Sequence, residues 1–214
     1  MNRRQILQLG GGLTVLAGAS AGSLIGIRPT RAQEADPLAI ADHERVLGER
    51  DAPATLIDYS SLTCPHCARF HMQTLPQIKK EWVDSGRARV VYRHFPLDRL
   101  ALAGAMAAEC IERDRAYFAF LDTLFAEQAA WSRAQDPLGE LRKRAQLAGL
   151  SPARFDECIQ DQAVGDRILQ GVVVARDQLQ VSSTPTLFVG EQKIAGAMDY
   201  EVFDAALREA AGQA

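Results

Sequence analysis

The chain has 214 residues, 47% of them apolar and 24% charged, with four cysteines and a formal net charge of -3; this suits one globular domain or one domain with a large insertion. The first 32 residues contain four arginines and no acidic residue, so residues 33–214 carry 20 basic and 27 acidic side chains, a net charge of -7. An acidic body without a basic stripe argues against nucleic acid as a partner.

The N-terminus predicts an export signal over residues 1–32. Arg3 and Arg4 precede a long uncharged run, and the small residues Thr30 and Ala32 provide a cleavage site. Paired arginines before a mildly apolar run resemble a twin-arginine signal, although the general export pathway remains an alternative. The run is also long enough to span a bilayer, so an uncleaved anchor is a further alternative. We expect cleavage near Ala32 and an exported protein, in a compartment where disulfides persist.

The first elements of the body are two strands that flank a helix. Residues 54–60 form a short β-branched and apolar run that predicts a buried strand, and residues 88–93 predict a second strand. Between them, apolar residues recur at helical spacing in a segment that opens just after Cys64. Pro76 predicts a kink in this helix, and Gly86 ends it.

The rest of the chain predicts a block of helices followed by a hairpin and a final helix. Helical patterns cover residues 101–113, 117–125, 138–147, 152–159 and 164–179; strands follow at 186–189 and 193–195, and the last helix spans about 200–211. We interpret residues 98–176 as a helical domain inserted into an α/β domain made of residues 33–97 and 177–214.

The segment Cys64-Pro65-His66-Cys67 follows a strand and opens a helix, which is the context typical of a thioredoxin-like redox centre. At the helix N-terminus, Cys64 faces unpaired backbone N–H groups and the positive end of the helix dipole, which lower the pKa of a thiol. Pro65 suits the first helical turn, and His66 can donate a hydrogen bond or place charge near the sulfur. We expect Cys64 to be the exposed, acidic thiol and Cys67 to be the buried, resolving thiol.

Two other interpretations of this segment remain open. Zinc needs four ligands; Cys64 and Cys67 supply two and His71 lies one turn beyond, but no second C-x-x-C or paired histidine follows. We therefore expect His71 to be a surface residue of the helix. A purely structural disulfide is the other alternative. The pattern favours a redox-active Cys64–Cys67 disulfide, with no metal and no other cofactor.

A proline at the start of a later strand is the second feature of the predicted site. Pro185 precedes the apolar run 186–189, and proline is tolerated at the first residue of a strand. Together with the upstream C-x-x-C, the pair Thr184 and Pro185 looks like the cis-proline loop of thioredoxin-like proteins. That loop lies beside the redox cysteines and offers backbone groups to an extended peptide substrate.

These features resemble the DsbA family of exported thiol oxidases, and more narrowly the DsbA-like proteins of alphaproteobacteria. The resemblance covers residues 36–212 and rests on the segments TCPHCARFH, VVYRHFPLD, MAAEC, GLSPARFDEC and STPTLFVG. It implies the α/β thioredoxin fold with an inserted all-helical domain. It also implies a monomeric periplasmic protein disulfide oxidoreductase, which oxidises folding proteins with free thiols through a mixed disulfide at Cys64. A membrane quinone-linked partner would restore the disulfide.

The resemblance assigns roles to two further residues and leaves alternatives open. Asp58, six residues before Cys64, stands where the family commonly has a buried acid, which would relay the proton of Cys67. The alternative is a solvated aspartate at the end of the strand. Thr184 stands where DsbA oxidases often have valine, and threonine is usual in disulfide isomerases. A disulfide isomerase or reductase therefore remains an alternative function, and a non-redox peptide-binding chaperone is a third.

Cys110 and Cys158 both fall in the predicted helical domain. In a reducing compartment the default expectation is two buried, unrelated thiols, because free cysteine is among the most buried residue types. In an exported protein the even count leaves each as the other's partner once the motif pair is set aside. The resemblance agrees, since alphaproteobacterial relatives tend to carry a second pair in this domain. We predict a structural disulfide between Cys110 and Cys158.

Overall fold

A four-stranded sheet lies at the centre of the molecule. The computed structural model describes residues 36–212, and the predicted export signal lies outside these residues. The strands are β1 (Ala54–Ser60), β2 (Ala88–His94), β3 (Thr186–Val189) and β4 (Gln192–Ala195), in the order β2-β1-β3-β4. β1 pairs parallel with β2 and antiparallel with β3, and β3 pairs antiparallel with β4. Because helices cover both faces, the two central strands are almost wholly buried, which explains their continuous apolar runs.

A helical stretch over residues 65–83 connects β1 to β2. It consists of α1 (Pro65–Arg69), a π-helical turn (Phe70–Thr74), α2 (Leu75–Ile78) and a second π-helical turn (Lys79–Val83). The irregularity predicted at Pro76 takes the form of the π-helical turn just before it, where the helical hydrogen bonds are re-spaced ahead of a residue without an N–H. The stretch ends before Gly86, whose φ of 71° lies in the left-handed region.

Six helices lie between β2 and β3, and one follows β4. They are α3 (Arg99–Glu109), α4 (Asp114–Ala126), α5 (Gln128–Ser132), α6 (Pro137–Leu147), α7 (Pro152–Cys158), α8 (Gln162–Asp177) and, at the end, α9 (Tyr200–Ala210). The side chains of Asp98, Ser151 and Asp161 cap α3, α7 and α8 by accepting backbone N–H groups. The sequence analysis missed α5, because five residues are too few to show a helical period.

Apolar side chains pack in separate clusters around the sheet. Phe70, Trp82 and Phe203 lie in the cluster that α9 and the helical stretch over residues 65–83 form with β1, β2 and β3. A further cluster joins α4, α5, α6 and α7 and includes both Cys64 and Cys67. The inserted helices therefore supply part of the apolar environment of the redox motif. A four-stranded sheet with a block of six helices inserted between β2 and β3 agrees with the predicted fold class, a thioredoxin fold with an inserted helical domain.

Long apolar helices are missing from the described part of the chain. Within residues 36–212, no helix combines the length and the apolar character needed to cross a membrane.

Candidate active site

The Cys-Pro-His-Cys segment occupies the place that the sequence predicts for it. Cys64 is the N-cap residue of α1 and Pro65 stands in the first turn. Both motif cysteines are free thiols, so the structure describes the dithiol form. Cys67 is 0% exposed and Cys64 is 6% exposed. The expectation of an exposed Cys64 is wrong, because both cysteines pack into the apolar cluster that the inserted helices form; Cys64 is still the more accessible of the two.

The two thiols have opposite pKa shifts. A hydrogen bond from the Cys67 thiol is the main cause that lowers the pKa of Cys64 to about 5, against the opposing effect of burial. Thr184 and the backbone N–H groups of His66 and Cys67 add to the lowering. Burial raises the pKa of Cys67, and the hydrogen bond to Cys64 and the negative charge of Asp58 raise it further. At neutral pH, Cys64 is therefore a thiolate and Cys67 a protonated thiol.

The loop before β3 lies directly against the sulfur of Cys64. The peptide bond between Thr184 and Pro185 is cis, and the sulfur of Cys64 lies 3.4 Å from the carbonyl oxygen of Thr184. The hydroxyl of Thr184 is buried and has no nitrogen or oxygen partner among the described residues. The loop is held by the N–H of Gly196, which donates to the carbonyl of Pro185 at 2.8 Å. The side chains of Pro65 and His66 are exposed on the motif itself.

Asp58 lies deep in the molecule rather than at a solvated strand end. It is 0% exposed in β1. The hydroxyl of Ser60 donates to its Oδ1 at 2.5 Å, and Nε2 of His71 lies 2.7 Å from its Oδ2. The alternative of a solvated aspartate is wrong. The expectation of a surface His71 is also wrong: its ring stacks on Phe125 of α4 at 3.8 Å, a long-range contact that helical spacing cannot reveal.

Gln128 is a residue that the sequence analysis missed. Its side chain is buried in α5, and Nε2 donates to the carbonyl of Leu62 at 2.8 Å and to that of Cys64 at 3.0 Å. The hydroxyl of Tyr92 donates to the carbonyl of Ser60, at the end of β1, at 3.0 Å. These contacts anchor the backbone that carries the motif. No signal in the sequence singles out Gln128, because its partners are backbone groups 64 and 66 residues away.

Cys110 and Cys158 are joined in the structure. Their sulfurs are 2.09 Å apart and their Cα atoms 6.3 Å apart. The bond links the C-cap of α3 to the last residue of α7, within the block of inserted helices.

Metal ligands do not gather in the described part of the chain. Residues 36–212 contain no group of three or more His, Cys, Asp or Glu side chains arranged to hold a metal ion. Nε2 of His71, the nearest candidate beyond the motif cysteines, contacts Asp58 instead.

Known proteins share this fold. Residues 41–209 match the model of a family described as Thioredoxin. The crystal structure of alpha-DsbA1 from Wolbachia pipientis has a TM-score of 0.77 at 30% identity, covering 82% of this chain and 94% of that chain. BdbD from Bacillus subtilis, in the oxidised form, has a TM-score of 0.71 at 21% identity over 79% of this chain and 93% of that chain, a likeness of fold.

Curated relatives are similar over part of their length. A putative protein-disulfide oxidoreductase of Rickettsia bellii (strain RML369-C) is 26% identical over 150 residues, which is 70% of this chain and 58% of the relative. The chain thus spans less than two thirds of the length of the first curated relatives that it matches.

Proposed function

We propose that this chain is an exported thiol:disulfide oxidoreductase that introduces disulfides into folding proteins. The chain belongs to the thioredoxin family and, within it, to the DsbA proteins. One observation carries the proposal: two cysteines one turn apart have opposite pKa shifts beside a cis-proline loop. A structural pair or a metal site has no need of such an asymmetry, whereas thiol–disulfide exchange depends on it.

In this proposal Cys64 and Cys67 are the catalytic residues. A substrate thiolate attacks the sulfur of Cys64 in the disulfide form, the bond to Cys67 breaks, and a mixed disulfide forms at Cys64. A second substrate thiolate then attacks the substrate sulfur and expels Cys64 as a thiolate. The substrate loses two electrons and two protons; the pair gains the electrons, Cys67 takes one proton, and the other goes to solvent. The low pKa of Cys64 makes it a good leaving group and the disulfide a strong oxidant.

The residues around the pair have supporting roles. Thr184 and Pro185 would bind the extended substrate peptide, because their loop lies against the sulfur of Cys64. Pro65 and His66 would tune the redox properties from the first turn of α1, where the N–H of His66 already lowers the pKa of Cys64. Asp58 would take up and return the proton of Cys67. The negative charge of Asp58 favours the protonated form of the Cys67 thiol.

The remaining parts of the proposal concern the setting. Residues 1–32 would act as an export signal cleaved near Ala32, with the mature protein in the periplasm as a monomer. A membrane quinone-linked partner would reoxidise the Cys64–Cys67 pair, with no metal and no other cofactor. The net charge of -7 over residues 33–214 supports the expectation that nucleic acid is not a partner. The bond between Cys110 and Cys158 would serve structure rather than turnover.

A disulfide isomerase or reductase is the second candidate function, and Thr184 is the observation that favours it. An isomerase attacks wrong disulfides with a reduced Cys64, so it works best when the pair is less oxidising. The hydroxyl of Thr184 beside the sulfur is available to a thiolate or to a bound peptide.

The reduction potential of the Cys64–Cys67 pair separates these functions. We expect equilibration with glutathione to place it nearer to the about -120 mV of a strong oxidant than to the about -270 mV of a cytosolic reductant. The oxidised protein should also convert a dithiol peptide to its disulfide. A value near that of the reductants would reject the oxidase. A protein that kept full activity with both motif cysteines replaced by serine would be a non-redox binder.

A further inference from the structure

We propose that Asp58 and His71 form a dyad that exchanges the proton of Cys67 with solvent through a cleft away from the substrate loop. The inference rests on the proposed redox function and deepens it, since it identifies His71 as a positioning residue of that reaction. The cleft, here called the α4 cleft, has a volume of about 550 Å³. His71, Met72, Lys79, Asp122 and Glu127 are among its lining residues, and no residue of the cis-proline loop is.

A continuous set of polar groups leads from the inner cysteine to the histidine. Ser60 interacts with the sulfur of Cys67 and favours its thiolate, and its hydroxyl donates to Oδ1 of Asp58 at 2.5 Å. Oδ2 of the same carboxyl group lies 2.7 Å from Nε2 of His71. Both members of the dyad are buried, with side chains 1% and 4% exposed. The set therefore crosses the interior between Cys67 and the helix that borders the α4 cleft.

The second imidazole nitrogen supplies an independent observation. Nδ1 of His71 is buried and has no hydrogen-bond partner among the described residues. Buried polar atoms without partners are rare and call for an explanation. His71 lines the α4 cleft and its Nε2 is engaged by Asp58, so the proposal assigns proton exchange with the cleft to the remaining nitrogen, the buried Nδ1.

Aromatic rings hold the imidazole in this position. Phe125 stacks on its face at 3.8 Å, and Phe70 and Tyr92 contact it edge-on at 5.5 and 5.7 Å. These rings leave the plane of the imidazole little freedom to rotate. Nε2 is thereby kept on Asp58, as a positioning residue requires.

Charges of both signs surround the dyad. In the interior the titratable neighbours are Cys67 of the same helical stretch and Tyr92 of β2. Lys79 of the cleft is paired with Asp122 at 2.9 Å, which limits the influence of either charge on the histidine. The other charged groups that line the cleft are Lys80, Asp84 and Glu127.

The proton balance of the proposed step is simple. When a substrate thiolate attacks Cys64, the bond between Cys64 and Cys67 breaks and Cys67 leaves with the electron pair. The protonated dyad gives one proton through Asp58 and Ser60 to the Cys67 thiolate and is left as a carboxylate with a neutral imidazole. Nδ1 of His71 then takes one proton from solvent in the α4 cleft. Because the pKa of Cys67 is raised, its thiolate is a poor leaving group. The transfer of a proton to this thiolate as it leaves is general acid catalysis.

The test is the rate at which reduced glutathione reacts with the oxidised protein, followed by acid quenching and mass spectrometry from mildly acidic to mildly alkaline pH. In His71→Gln the side-chain amide can still donate to Asp58 but cannot carry a proton. We expect its rate of mixed-disulfide formation to fall about tenfold or more at neutral pH and its pH profile to change shape. In His71→Ala, which opens a hole toward the cleft, added imidazole should restore the rate in a saturable manner.

The exposed His43→Ala variant is the matched control, and imidazole should not accelerate it or the wild type. Circular dichroism tests whether each variant is folded. If His71→Ala is unfolded, the pH profile of His71→Gln alone tests the proposed proton transfer. A profile of His71→Gln that parallels the wild type, or equal acceleration of all proteins by imidazole, overturns the dyad while leaving the redox function intact. A wild-type protein that does not react with glutathione overturns both proposals.

Discussion

Removal of the bond between Cys110 and Cys158 should strongly destabilise the protein. The two residues are 48 positions apart, so the bond closes a long loop in the unfolded chain. The chain-entropy relation gives about 4 kcal/mol of stabilisation for a loop of this length. Cys158 is also 1% exposed, so truncating it to alanine adds a smaller packing loss of about 1 kcal/mol.

The single variant Cys110→Ala separates these two contributions. It loses the cross-link but keeps the buried sulfur of Cys158, so its free energy of unfolding should fall by about 4 kcal/mol. The double variant Cys110→Ala/Cys158→Ala should lose only about 1 kcal/mol more, because the cross-link is already gone.

Urea denaturation with the Cys64–Cys67 pair held oxidised measures both values, and mass spectrometry of non-reduced peptides verifies the pairing. If Cys110→Ala unfolds within about 1 kcal/mol of the wild type, the loop-closure argument is refuted. Alkylated Cys110 and Cys158 in protein purified from an oxidising compartment would refute the bond itself.

Further predictions concern the motif and its neighbours. Thiolate absorbance of the reduced protein should be present at neutral pH and disappear as the pH falls through about 5, because the lowered pKa keeps Cys64 ionised above that value. If the Cys64→Ala variant retains this titration, the assignment of the two thiols is reversed. Cys67→Ala should accumulate mixed disulfides with substrates, since the resolving thiol is absent, and a variant that accumulates none would contradict the role of Cys67. Thr184→Val should speed oxidation of a dithiol peptide and weaken isomerisation, and unchanged rates would remove Thr184 from the site. Gln128→Leu leaves the buried carbonyl of Leu62 without the donor that Gln128 provides and removes one of two donors to the carbonyl of Cys64, which keeps the N–H of Ala68. Its free energy of unfolding in urea should fall by roughly 1–3 kcal/mol, and full stability of Gln128→Leu would show that the anchor is unimportant.

Several parts of the site could be predicted because short-range patterns encode them. The strand over residues 54–60 follows from a buried apolar run, and the placement of Cys64 and Pro65 follows from the preference of proline for the first helical turn. Pro185 fits the first residue of the strand over residues 186–189, where proline is tolerated. These signals need only the residue and its near neighbours.

The environment of the motif could not be predicted in the same way. Cys64 is buried and Gln128 holds its backbone because inserted helices pack over the motif, and a helical period shows that a residue is apolar without showing what covers it. His71 has the spacing of a surface position, yet α4 places Phe125 against it. The burial of these residues depends on partners far away in the chain.

The amino-acid sequence by itself determined the order of strands and helices and the Cys-Pro-His-Cys start of α1, because each depends on local conformational preferences. The cis-proline loop followed from its likeness to thioredoxin-like proteins rather than from a local preference. Only the tertiary structure decided how far the two thiols are buried and which distant groups act on them. The hydrogen bond from the nearby Cys67 thiol is the main cause that lowers the pKa of Cys64, and Thr184, 120 residues away, adds to it. The pKa of Cys67 is raised by burial, by the hydrogen bond to Cys64 and by the charge of Asp58. Desolvation and charge act over distances in space, and folding alone brings these groups within reach of one another.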